Sequence, residues 1–186
     1  MKISVIAIFY NSSPYVEKGV DSTLSQDDVN IELIAVDDCS KDNTYDILKS
    51  YRERDNRVCV IRHEKKMGIA NARNTGISAV SGDCFYLIDG DDYLPSGALA
   101  CLAKYFSSDV DWVQGGYEIQ DETGAKIRNR SHPFGEYMTH GEIVQNFGKL
   151  EMIWCHNRLI NSKWNTHLFH TGIVHEDWSC QISLSA

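Results

Sequence analysis

Cys84-Phe85-Tyr86-Leu87-Ile88-Asp89-Gly90-Asp91-Asp92 is the stretch on which the fold of this chain turns. An apolar run that ends in carboxylates reads as a buried strand delivering acids to its own C-terminal edge. In open α/β sheets that edge is where ligands bind. Asp89, Asp91 and Asp92 repel one another unless something positive sits between them. A hard divalent cation held through oxygen, together with a diphosphate, suits that charge pattern. The small Gly90 leaves room for a ligand to approach the backbone. A solvated acidic turn is the alternative, since Asp and Gly are common turn residues.

Upstream, Ile3 to Phe9 is an apolar run without period-2 alternation, which suits a strand covered on both faces. Pro14 opens a helix with Val16, Val20 and Leu24 on one face. Ile31 to Val36 reads as the next strand and ends in Asp37-Asp38. Ser40 or Asp42 can cap the helix that carries Ile47, Leu48 and Tyr51. Val58 to Ile61 is a third strand, and Gly68 to Val80 a helix in which Gly76 costs some propensity. Phe85 to Ile88 is the fourth strand, and Pro95 starts a helix bearing Leu99, Leu102, Ala103 and Phe106. This β-α alternation implies a mostly parallel sheet with helices on both faces. Acidic or polar motifs after strands one, two and four then emerge on one edge.

Downstream the pattern changes near residue 108. Asp111 to Gln120 reads as a strand, residues 121 to 124 as a turn, and Lys126 to Arg130 as a return strand. His132 to Gly141 carries turn residues, Glu142 to Phe147 a short helix, and Glu176 to Leu184 a last helix. Met152 to Ile160 fits either element type. The expected organisation is one domain over 1–186, with a change of role within it near residue 108 and no linker between the halves.

The 186 residues are 42% hydrophobic and 24% charged, ordinary for a globular protein. The net charge of -8 argues against a nucleic-acid partner. Local basic patches lie at Arg62 to Lys66 and around Lys126, Arg128 and Arg130. No apolar stretch approaches the roughly 18 residues of a spanning helix. Six cysteines without a C-x-x-C pair suggest buried thiols in a reducing cytosol.

Four further motifs carry chemistry. Asp37-Asp38 at a strand end can accept a uracil N3–H or hold a ribose hydroxyl, or can cap a helix. Tyr10 can stack on a base or simply pack. The helix entered at Met67-Gly68 offers amide N–H groups to an anion, and Arg73 a fork for a phosphate or an acidic partner. His175-Glu176-Asp177-Trp178 sets two acids beside an aromatic ring, where an acid of raised pKa can act as a general base.

Taken in order, these motifs resemble the inverting family 2 glycosyltransferases of the GT-A fold. They are the Tyr10-Asn11 ending of strand one, Asp37-Asp38-Cys39-Ser40, Ala72-Arg73-Asn74-Thr75-Gly76, Asp89-Gly90-Asp91-Asp92 and Glu176-Asp177-Trp178. Ile8-Phe9 stands where the family usually has a Pro before the aromatic. The resemblance implies a Rossmann-like nucleotide-binding fold with a small acceptor-side extension: a nucleotide-sugar-binding half at 1–107 and an acceptor-side half at 108–186 that is C-terminally short. It implies that Asp38, with Asp37 and Tyr10, meets the nucleobase, and that Arg73 lies near the base or diphosphate. Asp89 would face the ribose, Asp91 the metal (with Asp89 next), and Asp92 a supporting position. Asp177 would be the catalytic base, supported by Glu176. A Mn²⁺ or Mg²⁺ ion, a UDP-sugar donor and a glycan or lipid-linked saccharide acceptor complete the expectation. The setting it implies is cytoplasmic, at or near the inner face of a membrane, in polysaccharide synthesis. A non-catalytic nucleotide-sugar-binding module and a sugar nucleotidyltransferase are the alternatives. The second wants a Gly-rich, basic loop after strand one, which Tyr10 to Pro14 lacks.

Overall fold

The computed structural model describes residues 1–121, 123–130 and 158–164. Its strands are β1 (Lys2–Phe9), β2 (Asn30–Asp37), β3 (Val58–Arg62), β4 (Cys84–Asp89), β5 (Trp112–Gln114), β6 (Tyr117–Gln120), β7 (Lys126–Arg130) and β8 (Arg158–Asn161). The main sheet has the order β3-β2-β1-β4-β8-β5. β1 lies between β2 and β4, parallel to both, and β3 is parallel to β2. β8 runs antiparallel between β4 and β5. The helices are α1 (Val16–Leu24), α2 (Thr44–Arg54), α3 (Ile69–Ser78) and α4 (Ala98–Ala103).

The absence of alternation in β1 has the expected cause, burial on both faces. Ile3, Val5, Ala7 and Phe9 join Val16, Val20, Leu48, Tyr51 and Leu99 in a core shared with α1, α2 and α4. Ile6 and Ile8 face the other way, into a second core with Ala70, Ala72 and Ile77 of α3. Ile3, Val5, Ile6, Leu33, Ile34, Leu48 and Leu99 are at most 1% exposed. Each such side chain stabilises the fold by about 1.5–3 kcal/mol. Gly76 now has a reason: a Cβ there would sit 2.3 Å from Ile6 Cγ2, so α3 lies on β1 at a distance that a side chain would prevent.

Some expectations need correction. Asp111 to Gln120 is not one strand. It breaks at Gly115-Gly116 into β5, in the main sheet, and β6 (Tyr117–Gln120), which pairs with β7 (Lys126–Arg130) in a separate hairpin. Two successive glycines bring no side chains to a ladder and favour such a bend. The ambiguous segment ends in β8, which takes the place beside β4. The helix expected at Pro95 begins later, after Gly97 at φ +72°. Cys84 is buried, but Cys59 and Cys101 are exposed, because β3 is an edge strand and Cys101 faces away from the α4 core. Trp112 and Trp164 pack against the second core, and the Trp164 indole donates to Asp111. The elements expected at 132–147 and 176–184 lie outside the described residues, as do Trp154 and Trp178. Among the described residues no helix is long and apolar enough to cross a membrane.

Candidate functional site

The parallel strands β1, β2, β3 and β4 all end on one edge, so their following loops meet there. The first two loops are strained in the same way: Asn11 has φ 50° and Cys39 φ 62°, left-handed values unusual for non-glycine residues. A lattice of short bonds holds them. The Asn11 amide donates to Ser40 Oγ at 2.9 Å, and Asn11 Oδ1 accepts the Lys41 amide at 2.9 Å. Ser12 N–H donates to Thr44 Oγ1 at 2.9 Å, and Asp42 accepts the amides of Ser13 and Thr44 at 3.0 and 3.1 Å. Asp42, rather than Ser40, therefore takes the amide at the start of α2. Burial pushes the Asp42 carboxyl up, but its bonds to Thr44 and Ser13 prevail and bring it to about 2.

The two acids after β2 are both turned inward. The Asp37 side chain is 0% exposed and pairs with Arg62 Nε at 3.2 Å. Arg62 in turn lies 4.2 Å over the Tyr45 ring. The Asp38 side chain, 3% exposed, accepts the Met67 amide on Oδ1 at 2.7 Å and the Gly68 amide on Oδ2 at 2.8 Å. His63 Nδ1 stands 2.7 Å from the same Oδ1. Burial raises the Asp38 pKa, yet these bonds hold it below the usual carboxylate range.

That arrangement narrows one expectation. The Met67 and Gly68 amides just ahead of α3 are taken by the Asp38 carboxylate and are not open to a ligand phosphate. A second refinement concerns Gly90. A Cβ there would lie 2.5 Å from the Ile8 carbonyl oxygen and 2.6 Å from a Phe9 ring carbon, so the close approach of β1 by itself requires the glycine.

Arg73, 2% exposed, crosses from α3 to Asp89 at the end of β4, with Nη2 3.2 Å from Oδ1. The acidic partner is thus the chain's own. Asp91 and Asp92 stand outward beyond it, both exposed. Asp91 makes no hydrogen bond or ion pair among the described residues. Nor, among the described residues, do three or more His, Cys, Asp or Glu side chains converge there as a preformed metal cage. One outward carboxylate beside a second at a strand end is a donor set suited to a hard cation that takes its other ligands from a diphosphate and water. Tyr10, 36% exposed, carries Lys66 Nζ 3.7 Å from its ring centroid.

The structure therefore brings Tyr10, Asp37, Asp38, Arg73, Asp89, Asp91 and Asp92 to one sheet edge. Glu176 and Asp177 lie outside the described residues. Arg62, His63 and Lys66 are the residues that the sequence reading left as a basic patch. Their position directly after an apolar strand was the signal that placed them at the same edge.

A family model described as glycosyl transferase family 2 matches residues 4–169. The chain is 38% identical over 122 residues to the glycosyltransferase GlyG of Streptococcus pneumoniae, which is 65% of this chain and 40% of that protein. It is 41% identical over 145 residues to a Bacillus subtilis protein named as the putative teichuronic acid biosynthesis glycosyltransferase TuaG, 77% of this chain and 57% of that one. The chain thus spans less than two thirds of either relative. Staphylococcus aureus TarS, solved with UDP, superposes with a TM-score of 0.53 at 33% identity, over 56% of this chain and 32% of that one. Another TarS structure covers 97% of this chain and 54% of its own at a TM-score of 0.71 and 22% identity, a likeness of fold. With a match over most of its length, and strand-end acids gathered on the edge where such sheets bind ligands, the chain belongs to glycosyl transferase family 2.

Proposed function

We propose that the chain transfers a sugar from a nucleotide-diphosphate sugar, with UDP as the nucleotide, to an acceptor hydroxyl with inversion at the anomeric carbon, in polysaccharide assembly. The observation that carries this reading is the contrast at the end of β4: Asp89 is held by Arg73, whereas Asp91 faces outward with its carboxylate uncommitted among the described residues. Support for a UDP-sugar comes from TarS, which is solved with UDP and with UDP-GlcNAc. Support for a polysaccharide product comes from the name of TuaG.

In this reading the base lies against Tyr10, beside the loop from Arg62 to Lys66. Asp37 and Asp38 shape the floor, and a base contact by Asp38 would use the second lone pair of Oδ2. The ribose faces Asp89, whose orientation Arg73 fixes. Asp91, with Asp89 and Asp92 at hand, would hold a Mg²⁺ or Mn²⁺ ion, which when bound supplies Lewis acidity to the leaving diphosphate. Asp177 takes the proton of the acceptor hydroxyl, Glu176 supports it, and attack comes from the face opposite the diphosphate. The chain is a single such unit, and its acceptor is a glycan or a lipid-linked saccharide met at the inner face of a membrane.

The test separates the two ends of the sugar. Asp91→Asn should abolish Mn²⁺-dependent UDP binding in a thermal-shift assay. Asp177→Asn should leave that binding intact and lower sugar transfer by about 10²–10⁴-fold, the range for loss of a general base. Equal loss of donor binding in both variants would refute the assignment. Donor binding by the wild type without UDP release, whatever acceptor is offered, would make the chain a binding module instead.

A further inference from the structure

His63 is a partly buried side chain at this edge to which the donor reading gives no task. It follows β3 directly, and its side chain is 12% exposed. Its amide donates to the Asp37 carbonyl oxygen at 2.9 Å, which fixes its backbone against β2. Its Nδ1 lies 2.7 Å from Asp38 Oδ1 and its Nε2 lies 2.9 Å from Thr75 Oγ1. An ionised carboxylate can only accept, so Nδ1 carries a proton. In the neutral ring Nε2 then accepts the Thr75 hydroxyl.

These bonds close a ring through three elements. Asp38, after β2, grips the entrance of α3 by the Met67 and Gly68 amides. His63, after β3, grips Asp38 with one nitrogen and the body of α3, at Thr75, with the other. Arg73 lies two residues before Thr75, about 200° around the helix. It reaches the opposite way, to Asp89 on β4. The helix is therefore fastened on two flanks, toward β2 and β3 by His63 and toward β4 by Arg73. The segment between His63 and α3 carries Lys66, which covers Tyr10, and Gly68 at φ +86°. Glycine in that conformation leaves a segment with much backbone entropy to lose.

We propose that His63 is a positioning residue of the donor site. It locks Asp38 and Thr75 together, so that the Glu64 to Gly68 segment and the Arg73–Asp89 pair are set before a nucleotide arrives. This rests on the donor-site reading above. The advantage is preorganisation: ordering done during folding is not charged against binding.

The test uses the intact chain with UDP and Mn²⁺ as the probe, in the variants His63→Leu, His63→Asn and Thr75→Val. His63→Leu should weaken UDP binding about tenfold, the size of one lost charge-assisted hydrogen bond. His63→Asn keeps an N–H for Asp38 and should recover most of that loss. Thr75→Val should fall between. KM for the donor should move more than kcat. Hydrogen exchange at the Met67 and Gly68 amides should quicken in the same order, far below the unfolding transition. Unchanged UDP affinity in His63→Leu overturns the inference, as does faster exchange spread evenly over the molecule, which would mark plain destabilisation. If the wild type binds no nucleotide diphosphate, the donor reading itself falls, and this inference with it. Loss in His63→Leu without recovery in His63→Asn also counts against the Asp38 bond as its basis.

Discussion

The two edges of the same sheet treat their acids differently. At the amino edge, Glu32 accepts from Lys2 Nζ at 2.6 Å, from Ser4 Oγ, and from the Ser81 amide and hydroxyl at 3.0 and 2.8 Å. Asp83 accepts the Lys2 amide at 2.7 Å. Both acids there are held by residues of strand ends and one short turn. At the carboxyl edge the buried acids Asp37 and Asp38 are paired with Arg62 and His63 at the end of β3, and the half-buried Asp89 with Arg73 of α3. Beyond them Asp91 and Asp92 remain exposed. A carboxylate at a strand end is therefore not by its position a ligand-binding group. The buried ones fasten loops together, and the outward ones are presented to solvent.

The largest effect expected from this contrast is at Asp38. Asp38→Ala removes the acceptor for two amides and His63 from a nearly dry site, so urea unfolding should report a loss of about 3 kcal/mol. A loss under about 1 kcal/mol, the range of an exposed pair, would break the distinction between buried and outward acids.

The amino edge sharpens the comparison through pH. Burial pushes the Glu32 carboxyl up, but Lys2, Ser4 and Ser81 prevail and bring it from 4.5 to about 2. A carboxyl whose pKa is depressed by folding stabilises the folded state above its unfolded value. That contribution is lost as pH falls, here between 4.5 and about 2. Wild type should lose on the order of 2 kcal/mol more than Glu32→Gln across that window, with Asp38 and Asp42 titrating alike in both proteins. Parallel pH profiles for the two proteins would mean that the Lys2 pair contributes nothing.

The smallest effect is at Asp91. Asp91→Asn should change stability by less than about 0.5 kcal/mol, as for exposed residues away from structural features. The same substitution is the one expected to remove metal-dependent donor binding. A large stability loss would place Asp91 with the fastening acids.

Much of this was legible along the chain. Continuous apolar runs marked β1, β2 and β4 as doubly covered, and turn residues marked their ends, so the α/β order of the first half followed from local pattern. The second half was less legible. β5 and β8 contribute three and four residues to the main sheet. Such short pieces gain their stability from neighbours distant in sequence and leave little periodicity behind. The packing reason for Gly90 and Gly76 was hidden on related grounds: the atoms that forbid a side chain at each belong to β1, far away in sequence.

What the sequence by itself determined was the list of strand-end acids and, through the strand–helix alternation, the edge at which they gather. Only the tertiary structure decided which of them is buried. Asp37 and Asp38 are adjacent and Asp89 and Asp91 nearly so, yet their environments differ because Arg62, His63, Arg73 and the amides at Met67 and Gly68 arrive from other elements. The cost of burying a charge is met by partners in space, and spacing along the chain does not encode where those partners will stand.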